Sequence, residues 1–393
     1  MAATDSALAR LVGDEQAFVR DDFGRRPRHL EAADADGFAA LLSLDDVDHI
    51  IAATALRAPA FRLVRKGVTL PTSQVTRSAR VGSRPITDLV DVAAVHREFA
   101  AGATIVLQGL HRSWGPVAAL CRSLEASLTH RVQANAYLTP PVAQGLNLHG
   151  DPHDVFAVQT HGVKRWVVEP PDEARWELEL RPGDVLYLPA GTRHAAQTID
   201  QPSLHLTIGV RSTTWRELVD RAVTQALASV AERDGIDEPL PAGWAHDAGA
   251  LATRLHDHLG AVASALQADG SAERAAAETA DRFWSTRPPD RSGGLRDLLE
   301  LDHLDDTTPL RIRPDATRRL RVDGEQVTLV LGDRRLTMPA RLEPVLRRIL
   351  DLEVFAPKEL DELIDEPSRL VLCRRLVREG LLTMDRRPAS ARA

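Results

Sequence analysis

Three side chains in this sequence could hold one divalent ion. The segment NLHGDPHDVFAVQ sets His149 and Asp151 two residues apart. On an extended strand, residues i and i+2 project to the same side, so an imidazole and a carboxylate can reach the same point. An isolated pair of this kind is weak evidence. His-x-Asp recurs by chance in surface turns and around hydrogen-bonded core histidines. A third ligand has to come from elsewhere, and the candidate is His194 in DVLYLPAGTRHAAQT, just after an apolar strand and a Gly-containing turn. Two histidines and one carboxylate on one face of an ion leave adjacent positions open, the arrangement of non-haem Fe(II) oxygenases. A bidentate 2-oxo acid and O2 can fill those positions. A structural zinc site would want four protein ligands, commonly with thiolates, and no cysteine lies nearby.

Such a triad needs strands to hold it. From Ala103 onwards, TIVLQGL, RVQANAYL, DVFAVQTHG, KRWVVEP, WELELRPGD, DVLYLPAG and SLHLTIGV follow one another across Gly/Pro-marked turns. Seven or eight short strands in about 110 residues imply a sandwich or barrel. Ahead of them, Ala7, Leu8, Leu11 and Val12 share one helical face. DADGFAALLSLDDVDHII (34–51) reads as two short helices entered through acidic caps, and FRLVRKGVTL (61–70) as a hairpin turning near Gly67. After Arg211 the pattern becomes helical. A helix opens on Ser/Thr caps near 212–214, others are expected at 242–267 and 271–286, and RPPDRSGG (287–294) marks a break. The remainder reads as a strand pair, helix, turn, helix and terminal strand, which suggests a winged helix. The expected domains are 1–210, 211–294 and 295–393.

Composition narrows the function. The chain has 393 residues, net charge −7 and 44% apolar residues, which suits a multi-domain globular protein and not a general nucleic-acid binder. Cys121 and Cys373 are the two cysteines, far apart, and are expected to be reduced thiols in a cytoplasmic protein. The start of the chain lacks a basic segment followed by an apolar core, so no secretory signal is expected. No apolar run approaches the ~20 residues needed to span a bilayer.

Two long runs carry a resemblance. QANAYLTPPVAQGLNLHGDPHDVFAVQTHGVKRWVVEP and LRPGDVLYLPAGTRHAAQT, with ATIVLQGLHRSWGPVAALCRSLE upstream, resemble the JmjC-type ribosomal oxygenases, also called the cupin-4 family. The resemblance implies an α+β chain: a double-stranded β-helix (cupin/JmjC) core, a helical dimerisation domain and a C-terminal winged helix. It implies Fe(II) on His149, Asp151 and His194, with 2-oxoglutarate as cosubstrate. Lys164 in HGVKRW would meet the distal carboxylate, unless Arg165 is the inward residue and Lys164 a solvated one. Asn135 and Tyr137 match polar residues that face the cosubstrate in that family, and Thr207 in SLHLTIGV could add a hydroxyl to the same carboxylate. Gly150 departs from the pattern, since many relatives carry an aromatic residue between the two ligands. His153, His161 and His205 are read as surface residues or supports, and Asp154 as a residue that orients a ligand or meets the substrate. The implied activity is hydroxylation of an Arg or His side chain of a protein or peptide, with a ribosomal protein favoured. Demethylation of N-methyl-lysine, hydroxylation of a small peptide or natural product, and a non-enzymatic winged-helix regulator are the alternatives. Residues 301–393 carry 18 Lys/Arg against 17 Asp/Glu, so specific DNA binding is not expected. A homodimer through the 211–286 helices is.

Overall fold

Period-two alternation orients most strands between Thr104 and Arg211, and their two faces build two different interiors. The computed structural model describes residues 6–32, 36–143, 146–171, 173–287, 289–314 and 316–386. The first residues of the chain, 34–35 of the acidic stretch, 144–145 of the ligand-bearing run and 288 of the Pro-rich break lie outside the described residues. Packing divides the chain into Met1–Thr213 and Thr214–Ala393.

The described strands of the first unit are β1 (Arg28–Leu30), β2 (Phe61–Arg65), β3 (Val68–Thr69), β4 (Thr76–Val81), β5 (Arg84–Val90), β6 (Thr104–Leu107) and β7 (Arg131–Thr139), then β8 (His149–Gly150), β9 (Asp154–His161), β10 (Lys164–Glu169), β11 (Trp176–Leu180), β12 (Val185–Leu188), β13 (Arg193–Thr198) and β14 (Ser203–Arg211). Its helices are α1 (Ala7–Val12), α2 (Glu15–Asp21), α3 (Leu44–Ala53), α4 (Val92–Ala100) and α5 (Gly115–Leu128). One sheet runs β1-β12-β9-β14-β7-β6-β2-β3, the other β11-β10-β13-β8, while β4 and β5 pair only with each other. All named pairings are antiparallel.

The larger sheet is buried on both sides. Val132, Ala134 and Ala136 of β7, Phe156 and Val158 of β9, and Leu204, Leu206 and Ile208 of β14 pack with Leu8, Leu11, Leu120 and Leu124 from α1 and α5. The alternate residues face the smaller sheet: Val155, Ala157, Leu186 and Leu188 meet Trp166, Val168 and Leu180. Burial of one large apolar side chain is worth roughly 1.5–3 kcal/mol. A one-residue slip would exchange both faces at once, so the register is strongly specified. The result is two antiparallel sheets facing each other, a double-stranded β-helix, with its interior lined by the second set.

Local readings met mixed outcomes. Helix α1 buries the four residues expected of it, and β2–β3 turns at Lys66–Gly67, both at positive φ. The stretch 36–53 departs from expectation. Its first part is a 3-10 turn at Ala39–Leu41 with no side-chain cap. Helix α3 is capped by Ser43 in a reciprocal box with Asp46, because the serine hydroxyl accepts from the third amide while Asp46 reaches back. Nine described strands, rather than seven or eight, lie between Thr104 and Arg211.

In the second unit, Thr214 caps α6 (Trp215–Asp234), followed by α7 (Ala248–Gln267), α8 (Ser271–Ser285) and α9 (Gly294–Glu300). Then come β15 (Leu310–Ile312), the meander β16 (Arg319–Asp323), β17 (Gln326–Leu331) and β18 (Arg334–Pro339), α10 (Glu343–Asp351), β19 (Val354–Phe355), α11 (Glu366–Glu379) and β20 (Leu382–Met384). Strand β15 sits between β19 and β20. The core here draws Leu310, Leu346, Ile349, Leu372 and Leu376 together. No described helix is long and apolar enough to cross a membrane.

Candidate metal centre

His149 and His194 stand opposite each other where β8 pairs with β13. Asp151 follows β8 immediately. The ligand atoms of the three residues lie within 4.8 Å of one another, and His194 Nε2 is 3.6 Å from Asp151 Oδ2. The two imidazoles are oriented the same way. Nδ1 of His149 is 2.8 Å from the Asn147 carbonyl, and Nδ1 of His194 is 2.9 Å from the Thr192 carbonyl. Each Nδ1 therefore carries the proton and donates it two residues back, which leaves Nε2 as the free lone pair. Burial also pushes the His194 imidazole down from its usual range and favours the neutral, ligating form.

Backbone contact keeps the ligand strands close. Gly191 N–H donates to the Asp151 carbonyl at 2.7 Å. A Cβ on Gly150 would lie 2.8 Å from the Gly191 carbonyl oxygen. The residue between the two ligands is thus one that lets two chains approach closely. Asp154 touches none of the ligands. Its carboxylate accepts from the Tyr187 hydroxyl at 2.7 Å and from Ala190 N–H at 2.9 Å, so it ties down the turn leading to His194. That is a narrower role than orienting a ligand directly or meeting substrate.

The triad opens into a cleft of about 470 Å³, counted to its open mouth, lined by Thr104, Tyr137, Lys164, Trp166, His205 and Thr207 besides the triad. Lys164 points inward and is 2% exposed, whereas Arg165 is on the outer face beside Glu179. The Lys164 ammonium donates to Thr139 Oγ1 at 3.0 Å and lies 3.4 Å from His205 Nδ1. Both partners are neutral, and burial pushes Lys164 down to about 7. Burial, then Lys164 itself, drives His205 well below the usual imidazole range. The His205 ring is stacked on Tyr137 at 5.1 Å and meets Trp166 edge-on at 5.4 Å.

The other expected residues fall variously. Asn135 shares the face of Tyr137, but its Oδ1 accepts from Gly109 N–H and it is not among the lining residues. Thr207 lines the cleft opposite Asn135 in the β7–β14 register. His161 is exposed. His153 fills the space where a side chain at Gly209 would stand. Of the two roles expected for His205, surface or support, the surface one is excluded, because it is buried inside the cleft against Lys164. Thr139, which accepts from Lys164, is a further residue of the site. The signal for both was present: His205 and Thr139 fall on the inward alternation of β14 and β7, in step with Thr207 and Tyr137.

Residues 114–218 match the JmjC domain family. This chain carries a JmjC domain. Over 254 residues it is 29% identical to a bifunctional lysine-specific demethylase and histidyl-hydroxylase NO66 of Branchiostoma floridae, covering 58% of this chain and 42% of that protein. Over 219 residues it is 33% identical to ribosomal oxygenase 2 of Bos taurus, covering 48% and 46%. The chain thus spans less than half the length of these relatives. The solved Escherichia coli structure of YcfD matches over 95% of this chain and 99% of its own, with TM-score 0.55 at 18% identity, a likeness of fold. The resemblance to JmjC-type ribosomal oxygenases read from the motifs is borne out, and so is the cupin core.

Proposed function

We propose that this chain is an Fe(II)- and 2-oxoglutarate-dependent oxygenase that hydroxylates an Arg or His side chain of a protein, a ribosomal protein foremost. One observation carries the reading: a His-Asp-His cluster and a buried lysine with no anionic partner among the described residues share one cleft. A buried ammonium without a counter-charge is costly, and a dianionic ligand would relieve that cost. The donor set fits Fe(II), with two neutral imidazole lone pairs and one carboxylate converging. The E. coli ribosomal oxygenase YcfD has been seen in complex with cobalt and 2-oxoglutarate.

His149, Asp151 and His194 would hold the metal. Bound Fe(II) with 2-oxoglutarate supplies the oxidation of an unactivated C–H bond by O2, with succinate and CO2 as by-products. Lys164 anchors the far carboxylate, and Thr139 and His205 hold the ammonium in place without neutralising it. Tyr137, Trp166 and His205 form an aromatic wall that excludes water from the reacting atoms. Thr207 completes the polar lining proposed for the cosubstrate, and Asn135 stands behind it, holding Gly109 N–H.

The same reading extends to the second unit. Val219, Leu227, Leu255 and Leu259 are exposed on α6 and α7, which supports a homodimer through residues 211–286. The order of α10, α11 and β20 supports a winged helix serving as a scaffold and not as a specific DNA reader. A cytoplasmic location suits a ribosomal substrate. Small-peptide hydroxylation shares the same iron chemistry, and a non-enzymatic regulator would have no use for the triad. The second reading with support is lysine demethylation, because NO66 relatives carry both activities in their names. Mass spectrometry of ribosomal proteins from cells with and without the chain separates them. Gain of one oxygen on Arg or His is expected. Formaldehyde release from a methyl-lysine peptide, with no oxygen gained anywhere, would overturn hydroxylation.

A further inference from the structure

Asp and Glu make up 56 of 393 residues, about one in seven, so a stretch of 39 should hold five or six of them. Residues 49–87 hold none, and carry six arginines and Lys66 instead, in a chain of net charge −7. Folding uses only part of this charge. Arg57 pairs with Asp88 and Arg65 with Glu98, and Arg62 donates to the Thr69 hydroxyl. Lys66, Arg77, Arg80 and Arg84 are exposed and form no ion pair among the described residues. Three of these four sit on the β4–β5 ribbon, which pairs with no other strand. The fourth is at the tip of β2–β3, beside Gly67. A Cβ on Gly67 would lie 2.5 Å from the Asn147 side chain. Asn147 in turn supplies the carbonyl that holds His149. The basic segment therefore touches the loop that carries a metal ligand.

We infer that β2–β5 form a docking surface for the phosphodiester backbone of RNA, with its Lys66 end against the loop that carries His149. Phosphate is favoured over an acidic peptide on composition. Planar guanidinium groups match phosphate oxygens bidentately. Residues 62–90 contain no aromatic residue and expose only Val68 and Val81 among large apolar side chains, so they offer little apolar surface to a peptide's side chains. The lack of aromatic side chains also removes base stacking, and binding is indifferent to RNA sequence. The inference rests on the proposed ribosomal substrate for its purpose: a basic rim repels a free basic protein, but attracts one presented on RNA.

The test is fluorescence anisotropy of the full chain with labelled single-stranded RNA of mixed sequence, at salt from about 50 to 200 mM. Binding should weaken steeply with salt. Arg77→Glu/Arg80→Glu/Arg84→Glu should lose at least about tenfold, with the log–log salt slope falling by about 2, near 0.7 for each phosphate contact removed. The Arg→Lys triple variant should keep most of the binding. Unchanged circular dichroism and Co(II) titration in both variants establish that the fold and the metal site are intact. Absence of RNA binding at about 100 mM salt, equal binding by the Glu triple variant, or displacement of RNA by polyglutamate at equal charge would overturn the inference. Because no turnover is measured, a chain that binds RNA but consumes no 2-oxoglutarate would sink the proposed activity and leave this surface standing.

Discussion

The two ends of the cleft are built on opposite principles. At the metal end, each imidazole is held by its own chain two residues back, so both ligands depend on local backbone and on one close approach between β8 and the turn before β13. At the lysine end, nothing is local. Lys164 of β10 rests on Thr139 of β7 and His205 of β14, and Thr139 accepts in turn from Thr104 of β6. The proposed metal site can thus be written into short motifs, whereas the proposed anion pocket needs four strands in register. Damage at the metal end should be severe and local, and damage at the lysine end graded and pH-dependent.

The largest effect is expected from His149→Ala. Two remaining ligands hold a divalent ion poorly, so Co(II) binding should fall by more than the roughly 10–100-fold that loss of a residue merely supporting a ligand costs, with circular dichroism unchanged. Retained affinity would mean the metal, if any, sits elsewhere. Gly150→Ala comes next. The added methyl meets the Gly191 carbonyl, and forced overpacking costs about 1–3 kcal/mol, so Co(II) affinity should drop about tenfold while 2-oxoglutarate saturation, once metal is loaded, stays the same. An unaffected metal affinity would show that β8 and the turn before β13 can part freely.

At the other end, Lys164→Ala removes a charge-assisted bond worth roughly 1.5–3 kcal/mol and should raise half-saturating 2-oxoglutarate about tenfold or more, with Arg165→Ala silent. The reverse pattern would mean that β10 faces the other way. The smallest effect is the pH dependence. Burial depresses Lys164 in the folded protein to about 7, so free protein loses this charge as pH rises through 7, while the unfolded chain keeps it up to its ordinary value. Binding an anion then requires proton uptake, and 2-oxoglutarate affinity should decline above pH 7 in wild type but not in Lys164→Ala. For the ligand-free fold the sign is opposite. The burial penalty is full below pH 7 and fades towards the ordinary lysine value, so Lys164→Met should stabilise most at pH 6. A gain that grew with pH would contradict the buried-cation account.

What could be read in advance follows the same division. His149, Asp151 and His194 stood out by type and spacing, yet the strands carrying the two histidines did not. Strand β8 is two residues long, and β13, RHAAQT, has too few apolar residues to announce itself. Their pairing is imposed by neighbours and not by propensity. Long apolar strands such as β9 and β14 were evident, and alternation along them predicts inward residues. That His205 would support Lys164 in particular was not legible, because a histidine among leucines carries no sign of which neighbours it will meet. In the second unit, α6 to α8 were legible from helical spacing, but β15 and β19 are too short to show a period.

Central to the account is that the triad and Lys164 serve one reaction. The direct measurement is succinate formed from 2-oxoglutarate by purified, Fe(II)-loaded protein in air, alongside Asp151→Ala. Succinate is expected from the wild type and none above background from the variant. No succinate from the loaded wild type, or equal succinate from both, would contradict it.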